Sequence, residues 1–204
     1  MARRRRIVLW VVAAVLAVPV VLAAMLYASL SGGWDDAFRP KKTESSRDVR
    51  AAREKAEPKL RERTAGLPGT FGPSANECDE GQHNWKVDDD YDVACELLTT
   101  SVSREPVAAF RERTRALHET LTRAGWRPTG SFGLPEVMRT YERAEVRARG
   151  VGSLSTAEYE RDDALLTVSW ADAKNPTPRY GGDVRVGDGE YAAVLTVRLP
   201  YYKG

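Results

Sequence analysis

The stretch IVLWVVAAVLAVPVVLAAMLYASL, Ile7 to Leu30, constrains this chain more than any other, because it is unbroken, apolar and free of charge. As a helix it would extend about 36 Å, enough to cross a hydrocarbon core of about 30 Å with some tilt. Pro19 would break a soluble helix, but membrane helices tolerate proline. A buried core helix is disfavoured by the length of the run and its lack of charge. That length also favours a retained anchor over a cleaved signal peptide, whose apolar region spans about 7–15 residues. The cleaved alternative stays open, since Ser29 and Ser31 are small enough to offer a cleavage site before Gly32. No cysteine follows the run, which rules out a lipid-modified bacterial lipoprotein.

Orientation follows from Arg3, Arg4, Arg5 and Arg6. Positive residues beside a membrane helix stay in the cytoplasm, so residues 1–6 are expected inside and residues 31–204 outside. The formal net charge of +2 depends on this cluster. Subtracting its four arginines from 31 Lys and Arg leaves 27 against 29 Asp and Glu. The part that can fold carries no basic excess, and a nucleic-acid partner loses its electrostatic footprint.

Residues 31–75 are rich in charge and poor in large aliphatic side chains, and read as a charged stalk. Val49, Ala52, Ala56 and Leu60 share a thin helical stripe interrupted by Pro58, which leaves a short packed helix as the alternative. Gly66, Pro68, Gly69, Gly72 and Pro73 then read as a linker into a domain over 76–204. YDVACELLTTSVS alternates as a strand, with Tyr91, Val93, Cys95 and Leu97 on one face. Pro106 opens a helix whose stripe is Val107, Phe110, Leu117, Leu121 and Ala124, with Gly125 as its stop and Trp126 re-entering the core.

A second helix is predicted over 134–149, with Val137, Tyr141, Ala144 and Ala148 inward. STAEYER and ALLTVSWAD form a hairpin turning at Asp162–Asp163, and YAAVLTVRLPYY is a final strand. The order β-α-α-β-β-β implies an α+β fold: a small antiparallel sheet with helices packed on one face, behind a transmembrane helix and a stalk.

Candidate chemistry concentrates in CDEGQHNWKVDDDYDVAC. Cys78 and Cys95 are the only cysteines, and outside the cytoplasm a paired count predicts a disulfide. Closing a loop of about 17 residues stabilises a fold by roughly 3 kcal/mol on chain-entropy grounds. As metal ligands the two are too far apart for the usual zinc spacing. Asp88, Asp90 and Asp92 match the first three ligand positions of an EF-hand loop. The same register requires Gly at 93 and Glu at 99, where the chain has Val93 and Thr99. The three aspartates and His83 are therefore the candidate ligand or cation contact, set against a solvated polar turn between Val87 and Tyr91.

His118 lies beside the apolar stripe of its helix and reads as a partly covered surface imidazole. No G-x-S-x-G elbow, H-E-x-x-H pair or phosphate-cradling glycine loop occurs, so the chain offers no catalytic residue and no cofactor motif. The loop 172–190, with Arg179, Tyr180 and Arg185, is longer than a hairpin needs and is a second candidate contact region.

Arg outnumbers Lys by about three to one, the signature of a GC-rich genome. Together with the basic start, one membrane segment, the Cys78 and Cys95 pair and the amphipathic stretch ALHETLTRAGW, the layout resembles uncharacterised single-pass exported proteins of actinobacteria. The resemblance implies the cell membrane as location and transfers no catalytic residue. The expected function is a binding or accessory module of the cell envelope, contacting an envelope protein or cell-wall polymer. The alternatives are an envelope hydrolase using Asp88, Asp90 or Glu96, and a weak ligand or cation sensor.

Overall fold

The structure is a computed structural model that describes residues 42–83, 87–130, 133–176 and 184–204. The basic tail and the Ile7–Leu30 segment lie outside the described residues. Among the described residues no helix is long and apolar enough to cross a membrane. The described residues divide into two compact units, one within 47–78 and 95–202, the other within 42–46, 79–94 and 203–204.

In chain order the described elements are α1 (Arg47–Thr64), β1 (Ala75–Glu80), β2 (Val93–Pro106), α2 (Phe110–Arg123), β3 (Arg127–Pro128), α3 (Leu134–Tyr141), α4 (Ala144–Arg149), β4 (Ala157–Arg161), β5 (Ala164–Asp172) and β6 (Glu190–Lys203). The fold is α+β, and its six strands form one antiparallel sheet in the order β1-β2-β6-β5-β4-β3. β2 alternates buried and half-buried residues along its first half, as a strand covered mainly on one face does. β5 is instead buried at nearly every position and β6 from Tyr191 to Val197, as strands covered on both faces are.

The sequence-predicted hairpin is present. Arg161 pairs with Ala164 across a two-residue turn, and Asp162 takes the positive φ of 53° that such a turn demands. Leu166, Val168 and Trp170 of β5 join Ala193, Leu195 and Val197 of β6 in the main core cluster. Phe110 and Leu121 of α2, Leu134, Val137 and Tyr141 of α3, and Val146 of α4 complete it. A smaller cluster of Ala171, Val184, Ala192 and Val194 uses the alternate side chains of the same two strands.

The stop of α2 is the one expected. Gly125 has φ +86°, its N–H donates to Thr122 O at 3.0 Å, and Trp126 N–H donates to Leu121 O at 2.9 Å. This double closure is a Schellman motif, and its apolar partners Leu121 and Trp126 are both buried.

Three expectations are corrected. Residues 47–64, read as part of a solvated stalk, form the 18-residue helix α1. Val49, Ala56 and Leu60 lie at helical spacing and are buried, and Ala56, Leu60 and Leu67 belong to the main core cluster. Arg63, on the last turn of α1, reaches the β4–β5 turn, 3.1 Å from Asp162 Oδ2 and 3.4 Å from Asp163 Oδ1. Pro58 removes one helical hydrogen bond, and the docked stripe and the arginine clamp offset that loss.

The second correction concerns 134–149, which is two helices rather than one. Arg143 is extended, with ψ 127°. In one continuous helix Tyr141 and Val146 would point about 140° apart. The break turns Val146 into the core in place of the smaller Ala144 and Ala148, which are exposed. The third is the strand count. β1 and the two-residue β3 carry too little apolar alternation to announce themselves, and each is added at a sheet edge.

Candidate functional site

Cys78 of β1 and Cys95 of β2 are joined by a disulfide. Between them, the loop uses its acids on itself. His83 Nδ1 lies 3.0 Å from Asp88 Oδ1, and its Nε2 lies 3.4 Å from Asp92 Oδ1. The hydrogen bond to Asp88 raises the pKa of His83 above its ordinary value, helped by the charges of Asp88 and Asp92 and opposed by desolvation.

Asp89 Oδ2 accepts from Gln82 N–H at 2.8 Å, closing the turn. Asp90 accepts from Lys203 Nζ at 2.8 Å, and that ammonium holds its pKa below the usual carboxylate value. Lys203 also sits 5.5 Å from the ring centre of Tyr91. Gly81 is required here by space, because a Cβ at this position would lie 1.8 Å from the carbonyl oxygen of Tyr91.

Of the candidate contact residues, the fold therefore brings Asp88 and Asp92 to His83 and sends Asp90 to Lys203. Among the described residues no group of His, Cys, Asp and Glu is arranged to hold a metal ion. Glu96 lies outside this loop and accepts from the guanidinium of Arg198, with Nε 2.9 Å away. In the 172–190 loop, Arg179 and Tyr180 lie outside the described residues, and the Arg185 carbonyl accepts from Arg104 Nε at 3.1 Å. The loop is anchored by Asp172, whose carboxylate accepts from the N–H groups of Gly152, Lys174 and Asn175 at 2.8–2.9 Å.

His118 is more tied down than a surface imidazole. Its Nδ1 is 2.7 Å from the hydroxyl of the fully buried Tyr159, which also accepts from Leu134 N–H at 3.1 Å. The hydroxyl thus bridges Leu134 N–H and His118 Nδ1. Burial raises the pKa of Tyr159, so the phenol stays neutral. This relay joins α2, β4 and the start of α3, and its role is structural.

A concave site lies elsewhere, where α2 crosses the ends of β2, β5 and β6. It is a cleft of about 270 Å³. Its floor is Trp170, Ala193 and Leu195, its helix wall includes Thr114 and Leu117, and its rim carries Glu105 and Arg113. Arg113 Nε is 3.3 Å from Glu105 Oε2, with both side chains partly exposed. Tyr191 lines the cleft at 2% exposure and Thr114 at 3%, and neither hydroxyl is hydrogen-bonded among the described residues. Burial, reinforced by the charge of Glu105 and opposed by Arg113, pushes the Tyr191 pKa up to about 12. It is a neutral hydrogen-bonding group.

The aromatic ring of Phe110 fixes this geometry. It lies 5.2 Å from the Tyr191 ring and 6.0 Å from that of Trp170, both edge-on, so the cleft's two large side chains are held in place before any ligand arrives. A second hollow of about 450 Å³ lies between α1 and residues 71–74. Three of its polar side chains have partners: Thr99 Oγ1 donates to Gly72 O, Thr64 Oγ1 to Leu60 O, and Glu57 pairs with Arg53.

Sequence reasoning missed this site. Its residues run from Pro68 to Leu195, and no local spacing connects them. The available signal was Tyr191 at the start of a strand, directly before the aliphatic run Ala192 to Leu195. The chain matches no protein-family model, no curated protein and no solved structure. Fold and site together define a disulfide-stapled α+β domain with a small ligand-sized cleft under α2.

Proposed function

We propose that this protein is a membrane-tethered binding module of the cell envelope. In this reading residues 1–6 stay in the cytoplasm, Ile7–Leu30 cross the membrane, and the α+β domain faces outward, where it contacts an envelope protein or cell-wall polymer. The observation that carries the binding role is the cleft under α2, where the Thr114 and Tyr191 side chains, neither hydrogen-bonded to another described residue, lie between an apolar floor and an ion-paired rim. The compartment is supported by the Cys78–Cys95 disulfide, since such bonds persist in oxidising surroundings, and by the basic flank of the apolar run.

Two measurements test it. An alkaline phosphatase fused after Gly204 should be active, and an inactive fusion would overturn the orientation. Crosslinking in native membranes should co-purify a reproducible envelope component, and repeated recovery of the protein alone would count against the binding role.

A further inference from the structure

We infer that the cleft under α2 binds the neutral, polyhydroxylated ring of a sugar, which deepens the binding-module reading and rests on it. The inference starts from charge. Glu105 and Arg113 stand together at the rim, so a singly charged ligand gains one partner and meets one like charge, whereas a neutral ligand uses the carboxylate as acceptor and the guanidinium as donor. Inside, the largely covered side chains of Tyr191 and Thr114 line the cleft with hydroxyls that both donate and accept and have no hydrogen bond to another described residue.

A ligand that satisfies all four groups needs several hydroxyls spread around one face. Its other face must be apolar, because Trp170, Leu117, Ala193 and Leu195 offer only carbon and ring surface there. Ring sugars have that division: C–H bonds on one side and hydroxyls at the edge. The volume of about 270 Å³ lies at the small end for ligand sites and accommodates one such ring. The source is then either a free monosaccharide or the terminal residue of a glycan, with the same recognition chemistry.

The test uses the full chain in detergent, with saturation-transfer NMR and calorimetry. The probes are methyl glycosides of glucose and N-acetylglucosamine, the linear trisaccharide of N-acetylglucosamine, and the charged sugars glucuronate and glucosamine. The neutral sugars should bind and the charged ones should bind more weakly. A trisaccharide tighter than the monosaccharide identifies a chain end, and equal affinities identify a free sugar.

Tyr191→Phe and Thr114→Val should each weaken binding about threefold to tenfold, the loss of one hydrogen bond. Ala116→Trp, at an exposed position on the cleft rim, should abolish binding without touching the core. Glu105→Gln leaves Arg113 uncompensated and should shift preference toward glucuronate, a change that loss of folding cannot produce. Silence of all neutral sugars, tighter binding of either charged sugar by the native chain, or binding unaffected by Ala116→Trp would overturn the inference. Silent sugars with a reproducible crosslinked envelope partner would overturn the ligand class alone and leave the binding-module reading standing.

Discussion

Leu60→Ala separates a docked helix from a solvated stalk. Leu60 is 3% exposed on α1 and packs in the main core cluster with Ala56 and Leu67. Truncation removes the equivalent of three buried carbons, worth about 0.8 kcal/mol each. The cavity left behind adds to that, and buried Leu→Ala changes cost about 2–5 kcal/mol in total. For a folded region of this size each kcal/mol lowers the melting temperature by about 2–4 °C, so the expected drop is roughly 5–15 °C. Lys59→Ala, next door on the exposed side of the same helix, is the control and should stay within about 0.5 kcal/mol. Urea and thermal unfolding of the full chain, followed by circular dichroism, measure both. If Leu60→Ala shifts the midpoint no further than Lys59→Ala does, α1 is not part of the core and the argument fails.

Three further perturbations test other parts of the fold. Replacing Cys78 and Cys95 together by serine should lower stability by about 3 kcal/mol, the chain-entropy value for a loop of this length, read as a matching fall in unfolding midpoint that reductant reproduces in the native chain. Tyr159→Phe deprives Leu134 N–H and His118 Nδ1 of their shared partner, and should cost about 1–3 kcal/mol, with loss of slow hydrogen exchange at Leu134. The raised pKa of His83 means that its ion pairing supports the fold fully below about pH 6.5, its ordinary value, and that this support is lost as pH rises through the higher folded value. An NMR titration should place the His83 midpoint above 6.5, and Asp88→Asn should bring it down; an unchanged midpoint in the variant would remove Asp88 as the cause.

What the sequence made legible follows from how locally each element is encoded. The β4–β5 hairpin and helix α2 were readable because turn, cap and apolar period all lie within about 20 residues of each other. The glycine stop at Gly125 and the acidic turn at Asp162–Asp163 are chemistry that only one backbone geometry uses. α1 was misjudged because its stripe is thin and mostly small: Val49, Ala56 and Leu60 carry little area by themselves. Its docking depends on Arg63 meeting two aspartates 99 and 100 positions downstream, which no window along the chain can show. The break at Arg143 was equally invisible, since Ala144 and Ala148 continue the helical period that the core then declines to use.

The same contrast governs the two candidate sites. The acidic loop draws attention in the sequence because its charged residues are adjacent, yet most of them are already engaged: Asp88 with His83 Nδ1, Asp89 with a backbone N–H, Asp90 with Lys203, and Asp92 within ion-pair distance of His83. Carboxylates already committed to internal partners are poorly placed to strip a hard cation of its water, which needs several free oxygens in a shaped cage. The cleft has the opposite character. Thr114 and Tyr191 sit on different elements, each unremarkable alone, and are drawn together only when β6 inserts between β2 and β5 and α2 crosses above. Hydroxyls that line a cleft without a bond to another described residue are open to an external partner, whereas these acids are already engaged.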